Sequence, residues 1–314
     1  MVGAAVDEDE RQFYRWELRA EYQAAYASYF VRYIRAMRQN GIRIAAVTPQ
    51  NEPRNTKNEP SMAMSAGQQI EFVRDHLGPA LAAEARRTGI FCWDHNCDDP
   101  GYPLAVLEDR HARKFVRGVA WHLYAGSPEA LSIVHARYPD QKMYLTEQWV
   151  SAKGDFKLDL RWHMRKVVIG VIRNWGRLVL EWNLAADENC GPHTPAGAFE
   201  SLGGITIGRT LGRNVGYYIM AHTAKFIRPG SVRIHSTDLV ELPNVACLTP
   251  DGRIVLIVLN DGDAAKEFDI GYEGMLATVQ LEAGSGGDIA VGRIGIRKAR
   301  ALPWTRWGQV PRPH

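Results

Sequence analysis

From about residue 21 to residue 40, Tyr22, Tyr26, Tyr29, Phe30, Tyr33, Ile34 and Met37 recur at three- and four-residue steps. One apolar stripe with that period predicts an amphipathic helix, and Gly41 stands where a C′ glycine ends one. The apolar run Ile44-Ala45-Ala46-Val47 follows, short enough for a strand and continuous enough to be buried on both faces. The alternation then repeats. Ser65-Ala66-Gly67-Gln68 is a capping-box pattern opening a helix, which is expected to break at Gly78-Pro79 and to resume over 80–87. Strands are predicted at 90–93, 119–124, 143–145 and 177–184, and helices near 112–117, from Ser127-Pro128 to about 138, at 160–174 and at 214–227. From 231 onward the texture changes to short apolar runs at 232–234, 239–248, 254–259 and 277–281, with Asp251-Gly252 and Asp261-Gly262 as turn signals.

Five strands alternating with helices predict an α/β fold with a parallel sheet and helical crossovers. The second texture predicts a small antiparallel β module. The expected domains are therefore residues 1–229 and 230–314, with the Pro-rich tail at 304–314, which holds Trp304 and Trp307, a candidate to close the second.

Composition narrows the class. With 314 residues, 46% hydrophobic and 23% charged, the chain can bury a large core and a smaller one, which argues against a disordered or coiled-coil class. The net charge of +3 is spread out, so no nucleic-acid partner is expected. No apolar run reaches the roughly 18 residues of a membrane span, and the acidic start Asp7-Glu8-Asp9-Glu10 is unlike a signal peptide. Cys92, Cys97, Cys190 and Cys247 lack zinc spacing, and Cys92 and Cys97 are expected to be free thiols. No metal, no cofactor and no phosphate loop is expected, which sets aside a doubly wound nucleotide-binding protein.

In parallel α/β folds the chemistry lies past the C-terminal ends of the strands. The residues there are Gln50-Asn51-Glu52-Pro53, then Asp94-His95-Asn96, then His122 and Tyr124 on one strand face, then Glu147-Gln148-Trp149, then Glu181-Trp182-Asn183. Each alone has a structural reading: a strand-end Glu is most often a loop ion-pair partner, a lone His a satisfied structural histidine, a lone Trp core. Glu59, in a second Asn-Glu-Pro without a strand before it, reads as loop. Five successive strand ends carrying carboxylates, amides, imidazoles and aromatics make a sugar pocket the better reading, since aromatic faces stack on sugar C–H surfaces and polar tips bond hydroxyls. Retaining glycoside hydrolysis needs two carboxyls about 5–5.5 Å apart. Glu52 and Glu147, 95 residues apart, can meet only if the sheet curls into a barrel. Asn51 is placed to bond a sugar hydroxyl, and His122 or Tyr124 to keep the nucleophile ionised.

At these residues the chain resembles glycoside hydrolase family 30, the glucosylceramidase-like branch of the retaining (β/α)8 glycosidases. The matching stretches are Ala46-Val47-Thr48-Pro49-Gln50-Asn51-Glu52-Pro53, Trp93-Asp94-His95-Asn96, Val119-Ala120-Trp121-His122-Leu123-Tyr124, Tyr144-Leu145-Thr146-Glu147, Glu181-Trp182-Asn183-Leu184-Ala185 and Lys225-Phe226-Ile227-Arg228-Pro229-Gly230. The resemblance implies a TIM-type barrel, here strands four to eight only, followed by a β-sandwich-like domain. It implies Glu52 as acid/base and Glu147 as nucleophile, with Asn51, Tyr124 and Trp182 at the glycone subsite. Asp94, His95, His122, Trp149 and Asn183 complete the expected substrate-binding set. His193 falls where some members carry a substrate-facing Asn, and Gln148 where many have Gly or Ala. The family's first three strands would lie before residue 19. A truncated product, a mis-assigned start codon and a partner-completed barrel are the readings of that shortfall, the last because open strand edges invite pairing. A secreted or periplasmic location is expected if the N-terminus is truncated.

The expected function is retaining β-glucosyl hydrolysis of a glucosylceramide-like glycolipid. An endo-β-1,6-glucanase or β-xylosidase is the alternative within the class, and an inactive carbohydrate-binding remnant is the alternative outside it. The expected partner is a carbohydrate or glycolipid substrate, and the oligomeric state is left open.

Overall fold

A computed structural model of the chain describes residues 17–57, 61–194, 197 and 199–291. Glu59 and the 304–314 tail lie outside the described residues. The chain divides into two compact units, one of residues 1–147, 175–180 and 193–198, the other of 148–174, 181–192 and 199–314.

The first unit is built on strands β1 (Ala46–Val47), β2 (Gly89–Cys97), β3 (Val116–Gly126), β4 (Lys142–Glu147) and β5 (Gly176–Val179). They form one parallel sheet in the order β1-β2-β3-β4-β5. Each strand lies beside its successor with no reversal, which is the winding of a barrel and not of a doubly wound sheet. The middle strands are buried on both faces, as Val119, Ala120, Trp121 and His122 on β3 illustrate. That is why they read as continuous apolar runs.

Helices separate the strands in sequence: α1 (Gln23–Gln39), α2 in three continuous segments (Ala66–Glu71, Phe72–Leu77 and Gly78–Glu84), α3 (Gly101–Glu108), α4 (Arg110–Arg113) and α5 (Glu129–Arg137). The capping box at Ser65 and Gln68 is present in both directions. The expected break at Gly78-Pro79 is absent. The Phe72–Leu77 segment widens to π geometry and the Gly78 N–H donates to the Val73 carbonyl, and Pro79 stands in the first turn of the segment that follows, where a proline is tolerated. Gly78 is required there, because a Cβ would lie 2.4 Å from the Phe115 ring. Helix α3 was not expected from the sequence. Its Gly101-Tyr102-Pro103 start reads as a turn, yet a proline in a first helical turn forfeits no hydrogen bond.

The second unit contains α6, again in three segments (Phe156–Trp162, His163–Gly170 and Val171–Arg173), the short strands β6 (Ala185–Ala186), β7 (Ile205–Ile207) and β8 (Leu211–Arg213), and helix α7 (Val215–Ala224). An antiparallel module follows, with β9 (Val232–Ile234), β10 (Asn244–Leu248), β11 (Ile254–Leu259), β12 (Lys266–Tyr272), β13 (Met275–Leu281) and β14 (Gly286–Val291). Its sheets are β9-β10-β11-β14 and β12-β13. On β11, Val255, Ile257 and Leu259 pack with Leu160, Met164 and Val168 of α6, whereas Val258 packs with Val279, Leu281 and Ile289. Burial on both faces explains its unbroken Ile-Val-Leu-Ile-Val-Leu run. Strand β12 was not expected, although Phe268 and Ile270 alternate with Glu267 and Asp269 at the period of a half-buried strand. The expected strand over 239–248 shortens to β10, which starts after Pro243. No helix among the described residues is long and apolar enough to cross a membrane.

Candidate active site

Glu52, just past β1, is 6% exposed and lies in the left-handed region at φ 46°. Two neighbours at the end of β2 share that conformation, Trp93 (φ 73°) and Asp94 (φ 65°). Left-handed backbone in non-glycine residues costs about 1–3 kcal/mol each and persists only where neighbours over-determine it. Here the Glu52 N–H donates to the Asp94 carbonyl at 2.9 Å, the Trp93 N–H to buried Gln69 Oε1 at 3.0 Å, and the Trp93 indole N–H to the Asn96 carbonyl at 3.0 Å. The β2–β3 register slips between Trp93 and His95, so Asp94 is the extra residue of a bulge that re-aims its side chain.

Asp94 is buried and accepts from Thr48 Oγ1 at 2.6 Å and from Thr146 Oγ1 at 2.7 Å. It also faces His122 Nε2 at 3.3 Å. That position supports His122, and Asp94 is 6% exposed, as Glu52 is. His122 is 1% exposed and stands between carboxylates, with Nδ1 3.0 Å from Glu52 Oε1 and 3.7 Å from Glu147 Oε1. Burial pushes its basicity down, but the bonds to Asp94 and Glu52 and the nearby carboxylate charges outweigh burial and raise its pKa to about 9. As an imidazolium it donates through both nitrogens, Nδ1 to Glu52 and Nε2 to Asp94. Asn55 Nδ2 donates to the other Glu52 oxygen at 2.6 Å.

Glu147, at the end of β4, accepts from the Tyr124 hydroxyl at 2.9 Å. Burial raises its carboxyl above the ordinary value, the His122 charge and the Tyr124 bond pull it back, and Glu52 and Asp94 add a further push upward. Tyr124 is 37% exposed, and its N–H is held by Asn96 Oδ1 at 3.1 Å. Asn51 is exposed. The His95 ring leans on Trp93 with centroids 5.1 Å apart, its Nδ1 lies 3.8 Å from Glu52 Oε1, and burial lowers its pKa. Glu52, His95 and His122 are the one set of described residues whose donor atoms could hold a metal ion.

These distances measure the curl of the sheet. In a flat sheet β1 and β4, three strand intervals apart, would be separated by about 14 Å. The two glutamate oxygens instead flank one nitrogen at 3.0 and 3.7 Å, which limits their separation to about 6.7 Å, the total of the two. That limit between two oxygens accommodates the about 5–5.5 Å of retaining pairs.

The structure brings Glu52, Asp94, His95, His122, Tyr124 and Glu147 together in the first unit. Trp149, Trp182 and Asn183 belong to the second, where Trp149 and Trp182 form a parallel bridge and the Trp182 N–H donates to the Gln148 carbonyl at 2.6 Å. Trp182 is 44% exposed, and Asn183 Oδ1 is buried with no hydrogen-bond partner among the described residues. Glu181 is buried against His163 Nδ1 at 2.7 Å. His193 is exposed, its Nδ1 2.8 Å from the Thr194 carbonyl. The sequence reading missed Thr48, Thr146, Asn55 and Gln69. Thr48 and Thr146 stand directly before or at the strand ends already singled out, so position alone was available as a signal. Gln69, on α2, offered none. Cys92 and Cys97 are buried free thiols, as expected.

Residues 15–227 match the glycosyl hydrolase family 30 TIM-barrel domain and residues 230–286 the glycosyl hydrolase family 30 beta sandwich domain. The chain belongs to glycoside hydrolase family 30. Its fold is therefore the family's TIM-barrel domain followed by a β-sandwich domain. An endo-1,6-beta-D-glucanase of Aspergillus fumigatus is 34% identical over 253 residues, covering 76% of this chain and 50% of that protein. The lysosomal acid glucosylceramidase of Mus musculus is 26% identical, with 76% and 50% covered. Among solved structures, the endo-beta1,6-glucanase BT3312 superposes with a TM-score of 0.81 at 32% identity, covering 85% of this chain and 62% of that one. The chain spans about half the length of the curated relatives it matches.

Proposed function

We propose that this family 30 chain carries the catalytic pair of a retaining β-glycoside hydrolase, with Glu52 as acid/base and Glu147 as nucleophile, and that its substrate is a β-1,6-linked glucan. The observation that carries the mechanism is the single nitrogen, His122 Nδ1, flanked by Glu52 Oε1 at 3.0 Å and Glu147 Oε1 at 3.7 Å. Glu147 attacks the anomeric carbon while Glu52 takes up the proton it shares with His122 Nδ1 and passes it to the leaving oxygen. Water then opens the glycosyl–Glu147 ester with Glu52 as base. The Tyr124 hydroxyl and the His122 imidazolium offset the burial that disfavours an ionised Glu147. Asp94 acts through His122 as a positioning residue. Exposed Asn51 is assigned to a sugar hydroxyl.

The substrate reading departs from the first expectation, a glucosylceramide-like glycolipid. The 34% and 32% identities to two endo-1,6-glucanases, against 26% to the mouse glucosylceramidase, favour the glucan.

The test uses a β-1,6-glucan and an aryl β-glucoside. Unmodified chain is expected to release oligosaccharides and to be labelled by a fluoroglycoside at Glu147. Glu147→Gln should lose both. Glu52→Gln should lose glucan hydrolysis while still accepting an activated leaving group, which needs no proton. Undiminished labelling of Glu147→Gln overturns the nucleophile assignment. Saccharide binding without turnover in the unmodified chain would favour a carbohydrate-binding role.

A further inference from the structure

We propose that Glu52, His95 and His122 form a binding site for one divalent transition-metal ion, zinc above others, which displaces the shared proton between His122 and Glu52.

The donor atoms of the three residues all lie within 4.8 Å of one another, and all three residues are buried. His122 Nδ1 and His95 Nδ1 are 3.0 and 3.8 Å from the same oxygen, Glu52 Oε1. Around a tetrahedral zinc with bonds of about 2.0–2.2 Å, neighbouring ligand atoms stand about 3.3–3.5 Å apart. The two separations bracket that value, so each of these two pairs needs to move by only a few tenths of an ångström, and the two histidine nitrogens lie within 4.8 Å of each other.

His95 supplies an independent observation. The residue is 9% exposed, and its Nδ1 is buried with no hydrogen-bond partner among the described residues. A buried polar atom left unpaired is costly, and a lone pair aimed at a ligand site is a use for it. The surrounding groups also suit a metal. Asp94 Oδ1 stands 3.3 Å from the far nitrogen of His122, the carboxylate–histidine–metal arrangement that fixes a ligand's tautomer. Thr48 and Thr146 hold Asp94 in turn, and Asn55 holds the second oxygen of Glu52. Two imidazoles and one carboxylate favour zinc, copper, nickel or cobalt over calcium and magnesium, which prefer all-oxygen shells. Binding one ion releases one proton to solvent, the one that His122 Nδ1 otherwise donates to Glu52. The fourth position falls to water.

Ligand spacing could not reveal this set, because the three residues come from the ends of three different strands. The consequence for catalysis rests on the proposed function: an ion on Glu52 Oε1 removes the proton donor, so zinc inhibits glycoside hydrolysis. The binding claim does not depend on turnover.

The experiment titrates zinc chloride into the chelator-stripped 314-residue chain by calorimetry, with cobalt(II) absorption as a second readout. One equivalent is expected, with a visible cobalt band of tetrahedral intensity. His95→Ala and Glu52→Gln should each weaken zinc at least about tenfold, in line with the loss of a metal-site group. His163→Ala, which alters a buried histidine paired with Glu181, should not change it. Glu147→Gln, which abolishes turnover if the proposed function holds, should keep the zinc affinity, so the two ideas fail separately. Binding unaffected by His95→Ala and Glu52→Gln, or no stoichiometric binding at all, overturns the proposal. If circular dichroism shows His95→Ala unfolded, the cobalt spectrum of the unmodified chain decides, and an absent or octahedral band counts against the site.

Discussion

Replacing His122 with Gln removes the imidazolium that stands between Glu52 and Asp94, and with it a pH-dependent share of stability. The folded chain holds the His122 proton to a pKa of about 9, against 6.5 for an unperturbed imidazole. A group whose pKa is raised on folding stabilises most where it is protonated in both states. The contribution is therefore complete below about pH 6.5, declines as pH rises, and is gone above about pH 9. The difference of about 2.5 pH units corresponds to about 3 kcal/mol at about 1.4 kcal/mol per unit. Only 1% of His122 is exposed, so solvent screening takes little from that figure. Urea unfolding followed by tryptophan fluorescence at steps from pH 6 to pH 10 measures it, since Trp93 and Trp121 in the same unit are buried. The unmodified chain should lose about 3 kcal/mol across the window relative to His122→Gln. Imidazole NMR should place the His122 titration near 9. Parallel stability profiles for the two proteins, or an NMR pKa at or below 6.5, would refute the reasoning.

Tyr124→Phe deletes the donor to Glu147 Oε1, so the Glu147 carboxyl should rise further and the acid limb of kcat/KM should move to higher pH, with circular dichroism unchanged. Gly78→Ala places a Cβ 2.4 Å from the Phe115 ring and 2.5 Å from the Val73 carbonyl, so it should lower stability by about 1–3 kcal/mol or more, read as a fall in Tm. Gly67→Ala in the same helix meets only Ser65 Oγ at 3.9 Å and should instead stabilise by up to about 1 kcal/mol. Equal effects at the two glycines would contradict the packing argument.

Much of this protein was legible in one dimension. Period 3.6 marked α1 as a helix, although Tyr22, Tyr29 and Tyr33 of the stripe are exposed and Gln23, Ala27, Val31 and Ile34 are its buried face; the apolar runs marked β1 to β4 within a few residues, and the rule that chemistry gathers past strand ends picked out Glu52, Asp94, His95, His122, Tyr124 and Glu147. Those signals are local: burial demands apolar positions at a period, and a strand end follows wherever the run stops. The winding was also implied, because strands and helices in strict alternation favour neighbours in order.

What only the tertiary structure decided depends on curvature and on contacts between distant segments. The curl of the sheet puts Glu52 and Glu147 either side of His122 Nδ1, and no spacing along the chain encodes that distance. The same curl makes Asp94 a support of His122, since Thr48 and Thr146 reach it from the ends of β1 and β4. The close approach of the Phe115 ring to Gly78, beside the π segment of α2, depends on a side chain 37 residues away. Periodicity reports that an element forms. It does not report what that element packs against, and at this site the partner set each residue's chemistry.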